Sequence, residues 1–172
     1  MTRTRLADGP APMQTVGADP PVTRAERFER DFLPHLAGVY RAALCLTGDP
    51  AAAEDLVVEA FARAYRAVPW CRPGARRQVW LYRILVSIRR EHRPGGRPAA
   101  PGRAGDQPPV RRAVRELPEY LRLAIHLADV DGFSYQEIAE ITGTSAGTVA
   151  TRVRSARRTL RRRLSTSTEP WP

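Results

Sequence analysis

The chain predicts an all-α fold of two small helical domains joined by a flexible Pro/Gly-rich linker, and three observations predict it. Apolar residues recur at helical spacing over roughly residues 24 to 92 and again over 110 to 164. Strand-like alternation is missing from both stretches. Between them, residues 93 to 109 run Arg93-Pro94-Gly95-Gly96-Arg97-Pro98 and on to Pro108-Pro109, a composition that can neither continue a helix nor bury a core. Residues 1 to 23 are rich in Gly, Pro, Ala and Thr without periodicity and read as a disordered leader, and residues 165 to 172 as a disordered tail. A length of 172 residues can hold one ordinary domain or two small ones, and the proline-rich interruption favours two.

In the first domain, Phe28, Phe32, Leu36, Val39, Tyr40, Ala43 and Leu44 recur at helical spacing, with Pro34 marking a kink or a helix start within the run. Thr47-Gly48-Asp49-Pro50 ends that element, because Gly suits a left-handed C-terminal position and Pro the first turn of the next helix. The next helix is acidic: Asp49, Glu54, Asp55 and Glu59 occur with no base among them, while Leu56, Ala60, Phe61 and Ala64 supply an inward face. Acids near a helix start favour the macrodipole, but four of them on one surface of a basic protein repel DNA and suit a protein partner. From Ala62 to Arg97 the balance reverses, with ten arginines against Glu91. A helix beginning near Gln78 carries an apolar stripe of Trp80, Leu81, Ile84, Leu85 and Ile88. Arg83, Ser87 and Arg90 lie on another face, with Tyr82, Arg89 and Arg93 beside them. Trp80 lies on the apolar stripe, which favours a core role over base stacking.

The second domain carries the most informative segment, Phe133 to Val149, which reads as a helix-turn-helix. Ser134 can cap a short helix whose Ile138, Ala139 and Ile141 face inward, Gly143 permits the tight turn, and Ser145 can cap the second helix. There Val149, Val153, Ala156, Leu160 and Leu164 form one continuous stripe. Seven arginines, Arg152, Arg154, Arg157, Arg158, Arg161, Arg162 and Arg163, occupy the rest with no acid. One helix thus has a packing face and a phosphate-seeking face. Residues 145 to 164 hold no aromatic residue to anchor a membrane, so DNA is the better partner. Projected away from the stripe, Thr148, Thr151, Arg152, Arg154 and Ser155 point toward a groove, and Arg158, Arg161 and Arg162 toward phosphates or solvent.

The net charge of +10 comes with 28 arginines and no lysine, and indicates a polyanion partner. Cys45 and Cys71 with His35, His92 and His126 form no metal-ligand spacing, and Cys45 sits among apolar neighbours as a buried thiol. No paired carboxylates, nucleophile-base set, phosphate loop or metal cluster accompanies the fold signals, so neither catalysis nor a cofactor is expected. Nothing resembles a signal peptide or a membrane span, which places the protein in the cytoplasm.

Taken together, Ala53 to Tyr65, Trp80-Leu81-Tyr82-Arg83-Ile84, Glu116-Leu117-Pro118, Phe133 to Ala139 and Gly147-Thr148-Val149 resemble the extracytoplasmic-function sigma factors of bacterial RNA polymerase. The resemblance runs in the family's order over about 140 of the 172 residues. It implies that residues 24 to 92 are a region 2 helical bundle and 110 to 164 a region 4 helix-turn-helix. Glu54, Asp55, Val58 and Glu59 would then meet core RNA polymerase. Arg76, Arg77, Trp80, Arg83, Ser87 and Arg90 would meet the minus-ten element of promoter DNA as it melts. Thr148, Ala150, Thr151, Arg152, Arg154, Ser155 and Arg158 would meet the minus-thirty-five element. It also admits an anti-sigma factor as a further partner. Val58 stands where the family usually has glutamine, Ser87 where it often has asparagine, and Ala150 where a lysine or arginine commonly follows. Arg76 and Arg77 occupy positions where aromatic residues sometimes help trap a flipped base. A flexible tether would let the modules reach two promoter elements about two DNA turns apart. The competing expectation is a stand-alone helix-turn-helix regulator, which needs a two-fold DNA site and no polymerase.

Overall fold

The computed structural model describes residues 23–67, 76–92 and 108–166. Residues 1–22 of the expected leader, residues 68–75, residues 93–107 of the expected linker and the last six residues of the expected tail lie outside them, while Thr23, expected in the leader, is described.

Each helix start has a local cause. Thr23 and Glu26 form a reciprocal capping box at the head of α1 (Arg24–Phe32): the Glu26 N–H donates to the Thr23 hydroxyl and the Thr23 N–H to the Glu26 carboxylate. Pro34 then forces a short 3-10 turn, Leu33–His35, and α2 (Leu36–Thr47) sets off after it. Gly48 closes α2 in the left-handed conformation with φ 72°, a region costly for residues with a Cβ. Pro50 opens α3 (Pro50–Ala67), where the Asp49 carboxylate accepts the Ala52 N–H at 2.9 Å. The helix α4 (Arg77–Glu91) completes the first half.

In the second half, α5 (Pro109–Arg115) and α6 (Glu119–Asp129) each follow a proline, and α7 (Tyr135–Thr142) and α8 (Ala146–Thr166) form the helix-turn-helix. Ser134 caps α7 in a second reciprocal box with Glu137. Gly143 turns the chain at φ 60°, and the Ser145 hydroxyl accepts the Thr148 N–H at 3.1 Å at the head of α8. Val149, Val153 and Ala156 are fully buried, so the inner stripe of α8 meets the core along its first three turns.

The described residues of the two halves share one apolar core. Phe32, Val39, Leu46, Leu56, Leu81 and Leu85 from the first half join Leu127, Phe133, Ile138, Ile141, Val149 and Val153 from the second. The seam is made where α2 packs on α6 and α4 on α7. At its centre the Tyr82 and Phe133 rings meet edge to face at 4.9 Å, and a side chain on Gly38 would collide with the Tyr82 hydroxyl. This placement corrects the helical projection of α4. Tyr82, expected beside the arginine face, is 1% exposed, and Val86 is buried with it, because the second half covers a side of α4 that the isolated helix pattern left to solvent. The two halves, expected to be joined by a Pro/Gly-rich linker, also pack on one another.

Ser134→Ala is expected to lower the unfolding free energy by about 1 kcal/mol near neutral pH. The Ser134 hydrogen bonds hold the Glu137 carboxyl below the usual glutamate range. Its contribution is therefore full above the unfolded pKa of ~4.3 and is lost as pH falls through the lower folded value. Urea unfolding of wild type and variant at about pH 7 and about pH 3 checks that the gap narrows in acid.

Candidate nucleic-acid interface

Three surfaces carry the residues expected to bind partners. The first is the outer edge of α3, where Glu54 and Asp55 are exposed and Val58, between the acids, is 70% exposed. Glu59 faces elsewhere. Its carboxylate accepts from Arg63 at 2.7 Å and lies 3.3 Å from His92 Nε2, while the other arm of Arg63 reaches Glu91 on α4 at 2.7 Å. Arg63 and Glu59 thus brace α3 against α4, and hydrogen bonds to the two glutamates push the Arg63 pKa up. The i, i+4 spacing from Glu59 is the one local signal for Arg63, and its second partner lies 28 positions away.

The second surface is the polar side of α4. Arg83 is exposed and Ser87 half-buried, its hydroxyl 3.5 Å from the Glu91 carboxylate. Trp80 is half-buried and packs its ring 5.5 Å from that of Phe32. The remaining arginines of this helix and its cap are engaged. Arg77 pairs with Asp31 at 3.0 Å, and Arg30, hydrogen-bonded to the same acid, is the first cause holding the Asp31 carboxyl low. Arg76 pairs with Glu137 at 3.2 Å, Arg89 with Glu119 at 3.2 Å, and Arg90 donates to the carbonyl of Thr142. Glu119, Glu137 and Thr142 all belong to the second half.

The third surface is the outer face of α8. Thr148, Thr151, Arg154 and Arg158 are exposed there, and Ala150, Arg152 and Ser155 are half-buried. The Thr151 hydroxyl donates to the Gly147 carbonyl at 3.0 Å, and the Thr148 and Ser145 hydroxyls lie 2.9 Å apart. Arg152 lies over the Tyr120 ring, 5.5 Å from its centroid, so it is drawn back toward α6. Ala150, Arg154, Arg158 and Arg161 line a shallow concavity of about 300 Å³ with Tyr135 and Arg157. Arg157 is fixed to Asp129, its Nε 3.2 Å from the carboxylate. Such a row of guanidinium groups with threonine hydroxyls at its head can hold a phosphate backbone and reach base edges.

Among the described residues no group of three His, Cys, Asp or Glu side chains is placed to hold a metal ion, and no helix is long and apolar enough to cross a membrane. Burial pushes the Cys45 thiol up to about 11, which keeps it protonated and slow to react at neutral pH. Cys71 lies outside the described residues.

A helix-turn-helix with an arginine face, joined to a bundle with separate acidic and basic edges, is the arrangement of a DNA-binding protein. Comparison with known proteins gives the family. Residues 32–93 match the model for Sigma-70 region 2, and residues 109–160 that for Sigma-70, region 4. The chain is 33% identical over 150 residues to the ECF RNA polymerase sigma factor SigE of Mycolicibacterium smegmatis, covering 74% of this chain and 57% of that protein's length. It is 30% identical over 143 residues to the ECF RNA polymerase sigma factor EcfG of Rhodopseudomonas palustris, covering 74% of this chain and 79% of that protein. Among solved structures, the sigma factor RpoE from Bartonella quintana, co-crystallised with the anti-sigma factor NepR, superposes with a TM-score of 0.67 at 27% identity. That match covers 83% of this chain and 99% of the other. The chain belongs to the extracytoplasmic-function RNA polymerase sigma factors.

Arg63→Gln is expected to lower the unfolding temperature only slightly, since its two ion pairs are one-third to one-half exposed and screened by water. The loss should shrink in about 1 M salt, where the Debye length falls to about 3 Å. Thermal unfolding at low and high salt measures both.

Proposed function

We propose that this chain acts in the cytoplasm as the promoter-recognition subunit of RNA polymerase. The outer edge of α3 docks on the core enzyme through Glu54, Asp55 and Val58, with Glu59 shaping that edge through its brace to α4. The polar side of α4, with Arg76, Arg77, Trp80, Arg83, Ser87 and Arg90, holds the opened minus-ten strand. The outer face of α8 reads the minus-thirty-five element through Thr148, Ala150, Thr151, Arg152, Arg154, Ser155 and Arg158. The observation that carries this reading is the separation, on one small bundle, of an exposed acidic edge on α3 from the arginine side of α4.

The energetics require the partner. Unstacking and extruding a base costs a few kcal/mol, and stacking on an aromatic or arginine surface returns roughly 1 to 3 kcal/mol per base. A bundle of this size cannot by itself hold open several base pairs, so core polymerase must supply the remaining contacts and the chemistry of chain synthesis. The factor contributes binding and positioning without a catalytic group of its own. Because the Bartonella relative was crystallised with an anti-sigma factor, such a factor is a further partner for this chain.

Run-off transcription with purified core polymerase tests the reading: added protein should produce promoter-dependent transcripts, and a stand-alone regulator would not. Asp55→Arg should abolish most of that activity and weaken retention of the factor by core enzyme in a pull-down, through like-charge repulsion at the docking surface. Binding of a minus-thirty-five duplex should be unchanged, and wild-type retention by the folded variant would remove α3 from the docking surface.

On α8, Arg154→Ala is expected to cost roughly 1 to 3 kcal/mol on the preferred upstream element and little on unrelated DNA. Arg161→Ala should weaken all duplexes about equally and lower the salt slope by about one. Fluorescence anisotropy titrations on specific and scrambled duplexes separate reading from anchoring.

A further inference from the structure

The helix α6 holds two arginines of α8, and it holds them by different means. In its first turn the exposed Tyr120 ring lies under the Arg152 guanidinium, whose Cζ is 5.5 Å from the ring centroid. At its last residue the Asp129 carboxylate takes two nitrogens of Arg157, Nε at 3.2 Å and Nη2. Glu119, the acid beside Tyr120, pairs with Arg89 on α4 rather than with Arg152. The two held arginines are placed evenly about the packing stripe of α8. Arg152 directly precedes the buried Val153 and Arg157 directly follows the buried Ala156, so at about 100° per residue they leave the helix from opposite flanks. Thr151, Arg154 and Arg158 lie exposed on the outer face between them.

We propose that Tyr120 is a positioning residue for promoter binding: it holds Arg152 ready for a phosphate of one DNA strand, while Asp129 holds Arg157 for a phosphate of the other. The inference rests on the reading of α8 as the helix that enters the minus-thirty-five duplex, and it moves Arg152 from base reading to backbone anchoring. An α-helix with its side chains is about 10 to 12 Å across and the major groove about 12 Å wide, so a helix whose outer face meets base edges turns its two flanks toward the two phosphate walls. The tethers leave the needed donors available. A guanidinium set over a ring face keeps all its N–H donors in its own plane, and one that gives two to a carboxylate keeps the remainder. Holding each side chain in place before DNA arrives removes part of the rotamer entropy that an untethered arginine loses on contact. A tyrosine suits this role better than an acid, because the ring attracts the guanidinium without neutralising the charge that a phosphate needs.

The test uses the full chain and a duplex that the wild type enriches from a random-sequence pool, with affinity read by fluorescence anisotropy. Tyr120→Ala should weaken binding roughly 3-fold, the size of an exposed cation–π contact. Tyr120→Phe, which keeps the ring, should bind as the wild type does. In an Arg152→Ala background, where the salt slope is already lower by about one, Tyr120→Ala should cost nothing more. Phosphate ethylation interference supplies a readout that a merely structural role would not move. Arg152→Ala and Arg157→Ala should each erase a signal on a different strand, and Tyr120→Ala should weaken only the Arg152 signal. Equal losses from Tyr120→Phe and Tyr120→Ala, a further loss in the Arg152→Ala background, signals on both strands fading together, or Arg152 and Arg157 marking the same strand would overturn the positioning role. A wild type that enriches no sequence rejects α8 as the reading helix and the positioning role with it, whereas intact sequence selection beside any of those four outcomes rejects the positioning role alone.

Discussion

The helix α4 has to satisfy four neighbouring helices at once, and most of the structure follows from that constraint. It packs on α1, α2 and α3 within its own half and on α7 across the seam. Val79, Leu81, Tyr82, Leu85, Val86 and Ile88 are buried in these contacts, which leaves only a narrow polar strip around Arg83, Ser87 and Arg90. A helix covered on so many sides cannot be amphipathic in the ordinary sense. Its few polar residues are consequently held in defined places: Ser87 against Glu91, Arg89 against Glu119 and Arg90 against the end of α7. Precision at the strip is a by-product of burial around it.

Magnitudes separate what holds the seam together from what sets its register. Burying an aromatic such as Phe133 contributes roughly 1.5 to 3 kcal/mol, whereas a largely exposed pair such as Arg76–Glu137 contributes less than about 1 kcal/mol. Arg122 stands between these classes, because charge-assisted hydrogen bonds are worth about 1.5 to 3 kcal/mol and it makes one across the seam and two that anchor it. Apolar contact draws the halves together. The arginine forks decide which helix ends meet, since a carbonyl left buried without a donor is penalised.

The chain's reliance on arginine gives these contacts a common chemistry. A planar fork can donate to two acceptors along fixed directions, as Arg63 does between Glu59 and Glu91 and Arg122 does between helix carbonyls. The same geometry suits phosphate and guanine edges. One side-chain type therefore serves internal bracing and nucleic-acid binding, and partner choice depends on which arginines the fold has already engaged. On α8 this sorts Arg152 and Arg157, held by Tyr120 and Asp129, from the exposed Arg154 and Arg158.

Local chemistry was legible in the sequence wherever the cause lies within a few residues. The turn at Gly143, the caps by Ser134 and Ser145, the break at Pro34, the stop at Gly48 and the inner stripe of α8 all follow from short-range sterics and helical period, and the structure has each of them. The all-α fold and the family followed from the order of those signals. Tertiary packing alone decided which side of α4 is dry, because Tyr82 reads as a surface residue until Phe133 is brought against it. It also decided which charged residues remain available: Arg76 and Arg90 look free in sequence, and their partners Glu137 and Thr142 are 61 and 52 positions away. Helical periodicity reports a residue's angle about its own axis, and it is silent about what another helix will place there.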